Sequence, residues 1–144
     1  SNATGSTVVS GTFSTLQTAF QQWAVSNGLT GSDAAQTADV DGDGIGNLIE
    51  WACGLNPKTP SILNAPVSLA GSNIEFLYPR SVSAVGAGAI FTVEWSDSLA
   101  SQSWGSSGVS ETILSDNGIV QQVKAFVPTG GSSHRFVRLK VTSP

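Results

Sequence analysis

Two periodicities divide the chain. Between Phe13 and Ala24 the apolar residues Phe13, Leu16, Phe20, Trp23 and Ala24 recur at helical spacing. Ser14 stands where an N-cap belongs, and Gly28 where a helix stops. A second stripe, Ile45, Leu48, Ile49, Ala52 and Cys53, runs at offsets i, i+3, i+4, i+7 and i+8, and Gly54 and Pro57 end it. Together these predict a helix, an acidic loop and a second helix over residues 13–60.

After Thr59-Pro60-Ser61, which reads as a linker, the period becomes two. Ile74, Phe76 and Tyr78 alternate with their neighbours, as do Phe91, Val93 and Trp95. Ile119, Val123 and Val127 share a face with Gln121 and Ala125, and Val137, Leu139 and Val141 alternate with Arg138 and Lys140. Asp116-Asn117-Gly118 is a strong hairpin turn and Gly71-Ser72-Asn73 a weaker one. Six or so short strands with turns between them predict an antiparallel β-sandwich over residues 61–144. Residues 1–12 are expected to be a tag-removal scar, Ser1-Asn2-Ala3, and a disordered N-terminus. The predicted fold class is mainly β with an α-helical N-terminal part.

Composition narrows the function. Only 11% of the residues are charged, against about a quarter in ordinary domains. The net charge is −4, so the basic surface of a nucleic-acid binder is missing, and no apolar run is long enough for a membrane span. Arg135, Arg138 and Lys140 on the last predicted strand are expected to form a solvated face. Cys53 is the single cysteine, so no internal disulfide can form. A bound metal is another way to staple such a domain.

The acidic loop supplies that metal site. Asp39-Val40-Asp41-Gly42-Asp43-Gly44-Ile45-Gly46-Asn47-Leu48-Ile49-Glu50 fits D-x-[DN]-x-[DN]-G-x5-E without a mismatch. Calcium takes about six to eight oxygens. Asp39, Asp41 and Asp43 would supply carboxylates, Ile45 its carbonyl, Asn47 a direct or water-carried ligand, and Glu50 both carboxylate oxygens. Gly44 permits the sharp turn. The bland alternative is a polar surface turn with Asp and Gly as turn formers. Three aspartates in five residues repel one another without a cation, which favours the EF-hand-like helix–loop–helix with calcium. Position 8, where paired hands carry a branched apolar residue, is Gly46; this predicts a solitary loop.

The stretch Ala38–Trp51 resembles the single calcium loops of dockerin-like and thrombospondin type 3-like repeats of bacterial surface proteins, and Gly54-Leu55-Asn56-Pro57 continues the likeness. Phe91–Leu99 with Trp104, and Arg135–Val141, are similar to C-terminal modules of large secreted bacterial proteins. The resemblance covers nearly all of the chain after Thr12 and implies a calcium-stabilised, secreted or cell-surface module. It also implies that Cys53, where the family often has Leu, is a buried apolar position. A dockerin carries two such loops and this chain one, so a cohesin partner is not implied.

Other chemistry is thinly represented. His134 is the only histidine, and no nucleophile pattern points to it. Glu75 and Glu94 lie on strands, but nothing in the sequence brings them together as a glycosidase pair. Tyr78, Trp95 and Trp104 are the aromatic candidates for stacking on sugar; Trp95 fits core packing better, and Trp104, in a Ser/Gly-rich loop, fits exposure. The expected function is a non-enzymatic calcium-binding module serving attachment, spacing or sorting. The alternative is a carbohydrate-binding module attached to a secreted enzyme. Beyond calcium, the expected partners are cell-surface polysaccharide or another domain of the parent protein.

Overall fold

The computed structural model describes residues 16–144. Phe13, Ser14 and the expected disordered stretch 1–12 lie outside them. Helix α1 spans Ala19–Ser26, one turn later than the apolar spacing predicts, and Leu16 stays 95% exposed ahead of it. The start is set by a capping box: Thr18 Oγ1 accepts the Gln21 N–H at 3.2 Å, and Gln21 Oε1 accepts the Thr18 N–H at 2.9 Å. Two helix-end donors are satisfied reciprocally, which outweighs one more apolar residue in the stripe. Gly28 follows the helix end, as predicted, with φ +68°.

Helix α2 spans Asn47–Cys53, and Gly54 ends it in the left-handed conformation. Ile45 precedes the helix rather than lying on its stripe. No helix runs into the acidic loop from the other side. Helix α1 has ended at Ser26, and a 3-10 turn, Gly31–Ala34, lies between it and Asp39. The second helix thus follows the acidic loop as predicted, while the first ends at its predicted stop and is separated from the loop by residues 27–38.

The strands are β1 Val67–Ala70, β2 Asn73–Ser81, β3 Ile90–Ser96, β4 Ser110–Asp116, β5 Val120–Pro128 and β6 Phe136–Thr142; a short helix, α3 Val82–Gly86, follows β2. All pairings are antiparallel, in a four-stranded sheet of order β1-β2-β5-β4 and a two-stranded sheet β3-β6. The Asp116-Asn117-Gly118 turn joins β4 to β5 as predicted. Asp116 Oδ1 accepts the Gly118 N–H at 2.8 Å, and Asn117 Oδ1 accepts the N–H groups of Ile119 and Val120 at 2.9 and 2.8 Å. Gly71 turns between β1 and β2. Ile119 is spent in the turn and is 73% exposed, so it does not join the face of Val123 and Val127.

The predicted alternation sets the core. Ile74, Phe76 and Tyr78 of β2 meet Val93 of β3 and Val123, Ala125 and Val127 of β5, with Val137 and Leu139 of β6 packed against them. A second cluster joins helices to strands: Phe20, Trp51, Ala52, Ala84 and Val141, flanked by Phe91 and Leu139. Phe20 meets Trp51 edge to face with ring centroids 5.8 Å apart. Two short helices cannot bury such a set between themselves, and the end of the β3-β6 sheet supplies the missing apolar surface. Among the described residues no helix is long and apolar enough to cross a membrane.

Candidate metal centre

The acidic loop is closed at its base by backbone. The Asn47 N–H donates to Ala38 O at 2.8 Å and the Leu48 N–H to Gln36 O at 2.9 Å, so the chain entering the loop caps the start of α2. This closure explains Gly46. A Cβ there would stand 3.3 Å from Gln36 O and 3.6 Å from Thr37 O. The place where a paired hand offers its apolar residue is occupied by the chain's own backbone.

Inside the loop, backbone N–H groups hold the aspartates. Asp39 Oδ1 accepts from Gly42 and Asp43 at 2.8 and 3.1 Å, and Asp39 Oδ2 from Gly44 at 2.9 Å. Asp41 Oδ1 accepts from Asp43 at 3.2 Å, and Asp43 Oδ1 from Ile45 at 2.8 Å. Gly44 has φ +90°, a conformation that a side chain would strain, as position 6 of the loop requires. The result is that carboxylate oxygens of Asp39, Asp41 and Asp43 lie within 4.8 Å of one another and could hold a metal ion. Asp43 has a further tie outside the loop. Its Oδ2 accepts the Ser61 N–H at 2.8 Å and the Ser61 hydroxyl at 3.0 Å. The Ser61 N–H is the largest influence holding the Asp43 carboxyl below its usual range.

Asn47 and Glu50, three apart on α2, share a helix face. Both are buried, at 0% and 1% exposure. The Asn47 amide is oriented by its donors: Nδ2 donates to Asp33 O at 2.7 Å and Ala35 O at 2.8 Å. That leaves Asn47 Oδ1 without a partner, and Asp41 Oδ2, Glu50 Oε1 and Glu50 Oε2 are buried without one as well. Burial, and then the charges of Asp41, Asp43 and Asp39, push the Glu50 carboxyl up to about 7. Four unpartnered acceptor oxygens on three residues of one loop are a costly arrangement for a protein alone. Asp39, Asp41 and Asp43 could hold a metal ion, and their all-oxygen donor set suits a hard one. The aspartate triad thus fits a cation, and its charges bear on the buried Glu50 carboxyl.

The remaining candidates are structural. Tyr78 is fully buried and its hydroxyl donates to Glu111 Oε1 at 2.9 Å, so it offers no face to a sugar. Trp95 is half-buried, donates through Nε1 to Ser107 O at 2.8 Å, and carries the Arg135 guanidinium 3.6 Å from its ring centroid. Trp104 is also half-buried rather than free, with the Arg138 guanidinium at 4.2 Å. Glu75 pairs with Lys124 at 2.8 Å in one sheet, and Glu94 with Arg138 at 2.7 Å in the other. Arg138 and Lys140 are exposed as expected of a solvated face, each against Glu94, whereas Arg135 is half-buried. Arg135 forks onto both oxygens of Asp97 at 2.7 and 2.9 Å, and Lys140 lies 3.7 Å from Glu94. His134 is exposed, 3.2 Å from the Ser133 hydroxyl. Cys53 is 2% exposed, and burial pushes its thiol up to about 12.

No family model, curated protein or solved structure matches the chain. The likeness of the loop to dockerin-like and thrombospondin type 3-like repeats rests on its residues alone.

Proposed function

We propose that Asp39–Glu50 binds one calcium ion and that the protein is a non-enzymatic, calcium-stabilised module of a secreted or cell-surface bacterial protein, serving attachment, spacing or sorting. The observation that carries the metal reading is the set of buried, unpartnered oxygens on Asp41, Asn47 and Glu50 beside the aspartate cluster. One oxygen from each aspartate, Asn47 Oδ1, both Glu50 oxygens and the Ile45 carbonyl come within the six to eight or so that calcium takes. Magnesium, which keeps several waters and demands an octahedron, suits so full an all-protein set less well. On this reading the acidic loop with α2 is the second half of an EF-hand-like unit, and the two facing sheets are a small antiparallel β-sandwich.

The chain's own residues explain what the ion would do. Each aspartate is already held by backbone donors, and Asn47 by two carbonyls, so little ordering is left to pay at binding. The ion would offset repulsion among Asp39, Asp41, Asp43 and Glu50. It would also lock α2, which carries Trp51 and Ala52, against the strands. The carbohydrate-binding alternative is less favoured, because one face of Trp95 and one face of Trp104 are each stacked with an arginine. Thermal melting in excess calcium and in EDTA tests the proposal. With a Kd of about 10 μM and calcium at about 1 mM, the expected gain is about 2.7 kcal/mol; identical midpoints would refute it.

A further inference from the structure

We propose that Ser61 is a positioning residue for the metal loop: it holds one oxygen of Asp43 so that the other faces the ion, and it ties the ion to the segment leading into the four-stranded sheet. The inference rests on the calcium reading. Ser61 donates twice to Asp43 Oδ2, from its N–H at 2.8 Å and its hydroxyl at 3.0 Å. A carboxylate oxygen has about two lone-pair sites, so Oδ2 is filled. Oδ1 takes the Ile45 N–H at 2.8 Å and keeps one site free. Asp43 therefore presents a defined oxygen to the ion instead of swinging between two.

The same contact reaches away from the loop. From Ser61 the chain runs without helix or strand to β1, with Ser61, Leu63 and Ala65 half-buried and Ile62, Asn64 and Pro66 exposed. Leu63 and Ala65 line a cleft of about 360 Å³ with Gly44 and Ile45 of the loop and Phe76 and Val137 of the two sheets. Pro66 O accepts the Leu77 N–H at 3.0 Å, which carries the segment into the sheet. A bond shared by the ion's ligand and this segment makes their stabilities reciprocal: whatever the segment does for the ion, the ion does for the segment.

The test uses the full chain and calcium alone. Calorimetry should find Ser61→Ala binding calcium about tenfold more weakly, the usual effect of losing a group that orients a metal ligand. Ser61→Thr, which keeps the hydroxyl, should restore most of the affinity. Hydrogen exchange at the Ser61 amide should slow when calcium is added to the wild type. A role confined to packing would lower the stability of the free and loaded protein equally and leave the Kd alone. Calcium binding to the wild type with an unchanged Kd in Ser61→Ala overturns the proposal and spares the calcium site. An amide that exchanges at the same rate with and without calcium also overturns it. A wild type that binds no calcium removes both the proposal and the reading beneath it.

Discussion

Glu50→Gln should stabilise the metal-free protein and weaken its response to calcium, two effects of opposite sign from one substitution. In the folded chain Glu50 is 1% exposed and neither oxygen has a hydrogen-bond partner. Its carboxyl rises from 4.5 to about 7, first through burial and then through Asp41, Asp43 and Asp39. Between those two values the folded state binds more protons than the unfolded state. Stability without metal therefore falls as pH rises through the window, and the loss is complete above about 7. The rise corresponds to roughly 3 kcal/mol. A glutamine avoids that cost but leaves a buried amide imperfectly paired, at about 1–2 kcal/mol. The net gain at pH 8 in EDTA is then about 1–2 kcal/mol, with a melting midpoint higher by roughly 5 °C. At pH 4, where the wild-type carboxyl is protonated, the gain should vanish. In excess calcium the order reverses, because the variant has lost a charged ligand with two oxygens. The assay is melting of both proteins at pH 4 and pH 8, each in EDTA and in calcium. A variant less stable than wild type at pH 8 in EDTA would refute the reasoning, since it would mean that the buried carboxylate already has compensation.

Asn47→Ala should destabilise even the metal-free protein, by about 1–3 kcal/mol in urea denaturation, because it strands the carbonyls of Asp33 and Ala35 as well as removing a ligand oxygen; a purely calcium-dependent loss would contradict this. Cys53 should resist a thiol reagent in the native protein at pH 8, being 2% exposed with its thiol pushed up to about 12; labelling as fast as a free thiol would contradict its burial. Calcium should lower the binding of a hydrophobic dye or leave it unchanged, because Phe20, Trp51 and Ala52 are packed against Ala84 and Val141 and no groove is held in reserve. A rise in dye fluorescence with calcium would overturn that arrangement.

Much of this was legible along the chain because it depends on near neighbours. The carboxylates at Asp39, Asp41 and Asp43 converge within a few residues, and Gly44 turns the backbone directly after them. The period-two runs at 74–78, 91–95, 123–127 and 137–141 place their apolar residues inward because a strand's side chains alternate whatever it pairs with. The Asp116-Asn117-Gly118 turn is written in side chains that bond their own backbone. Thr18-Ala19-Phe20-Gln21 was equally local, a capping box whose spacing marks the start of α1 and leaves Leu16 outside the helix. By contrast β4 has no inward face to betray it, since every residue is exposed and only its pairing with β5 makes it a strand.

What only the tertiary structure decided concerns groups far apart in sequence. Gly46 is favoured because residues 36 and 37 pass close to it, and the sequence shows the glycine but not that approach. Asn47 reads as a ligand by position, yet its amide is also bound to Asp33 and Ala35, and that second duty fixes which of its atoms remains for an ion. Ser61 looks like linker until its N–H and hydroxyl are found on Asp43. Arg135 and Arg138 look like surface charge until they lie on Trp95 and Trp104. The division has one physical reason. Spacing along the chain determines how a residue's neighbours can wrap around it, which is enough to specify a turn or a cluster of aspartates. Burial, desolvation and long-range hydrogen bonds depend on which distant segment arrives, and that is settled only when the helices close against the sheets.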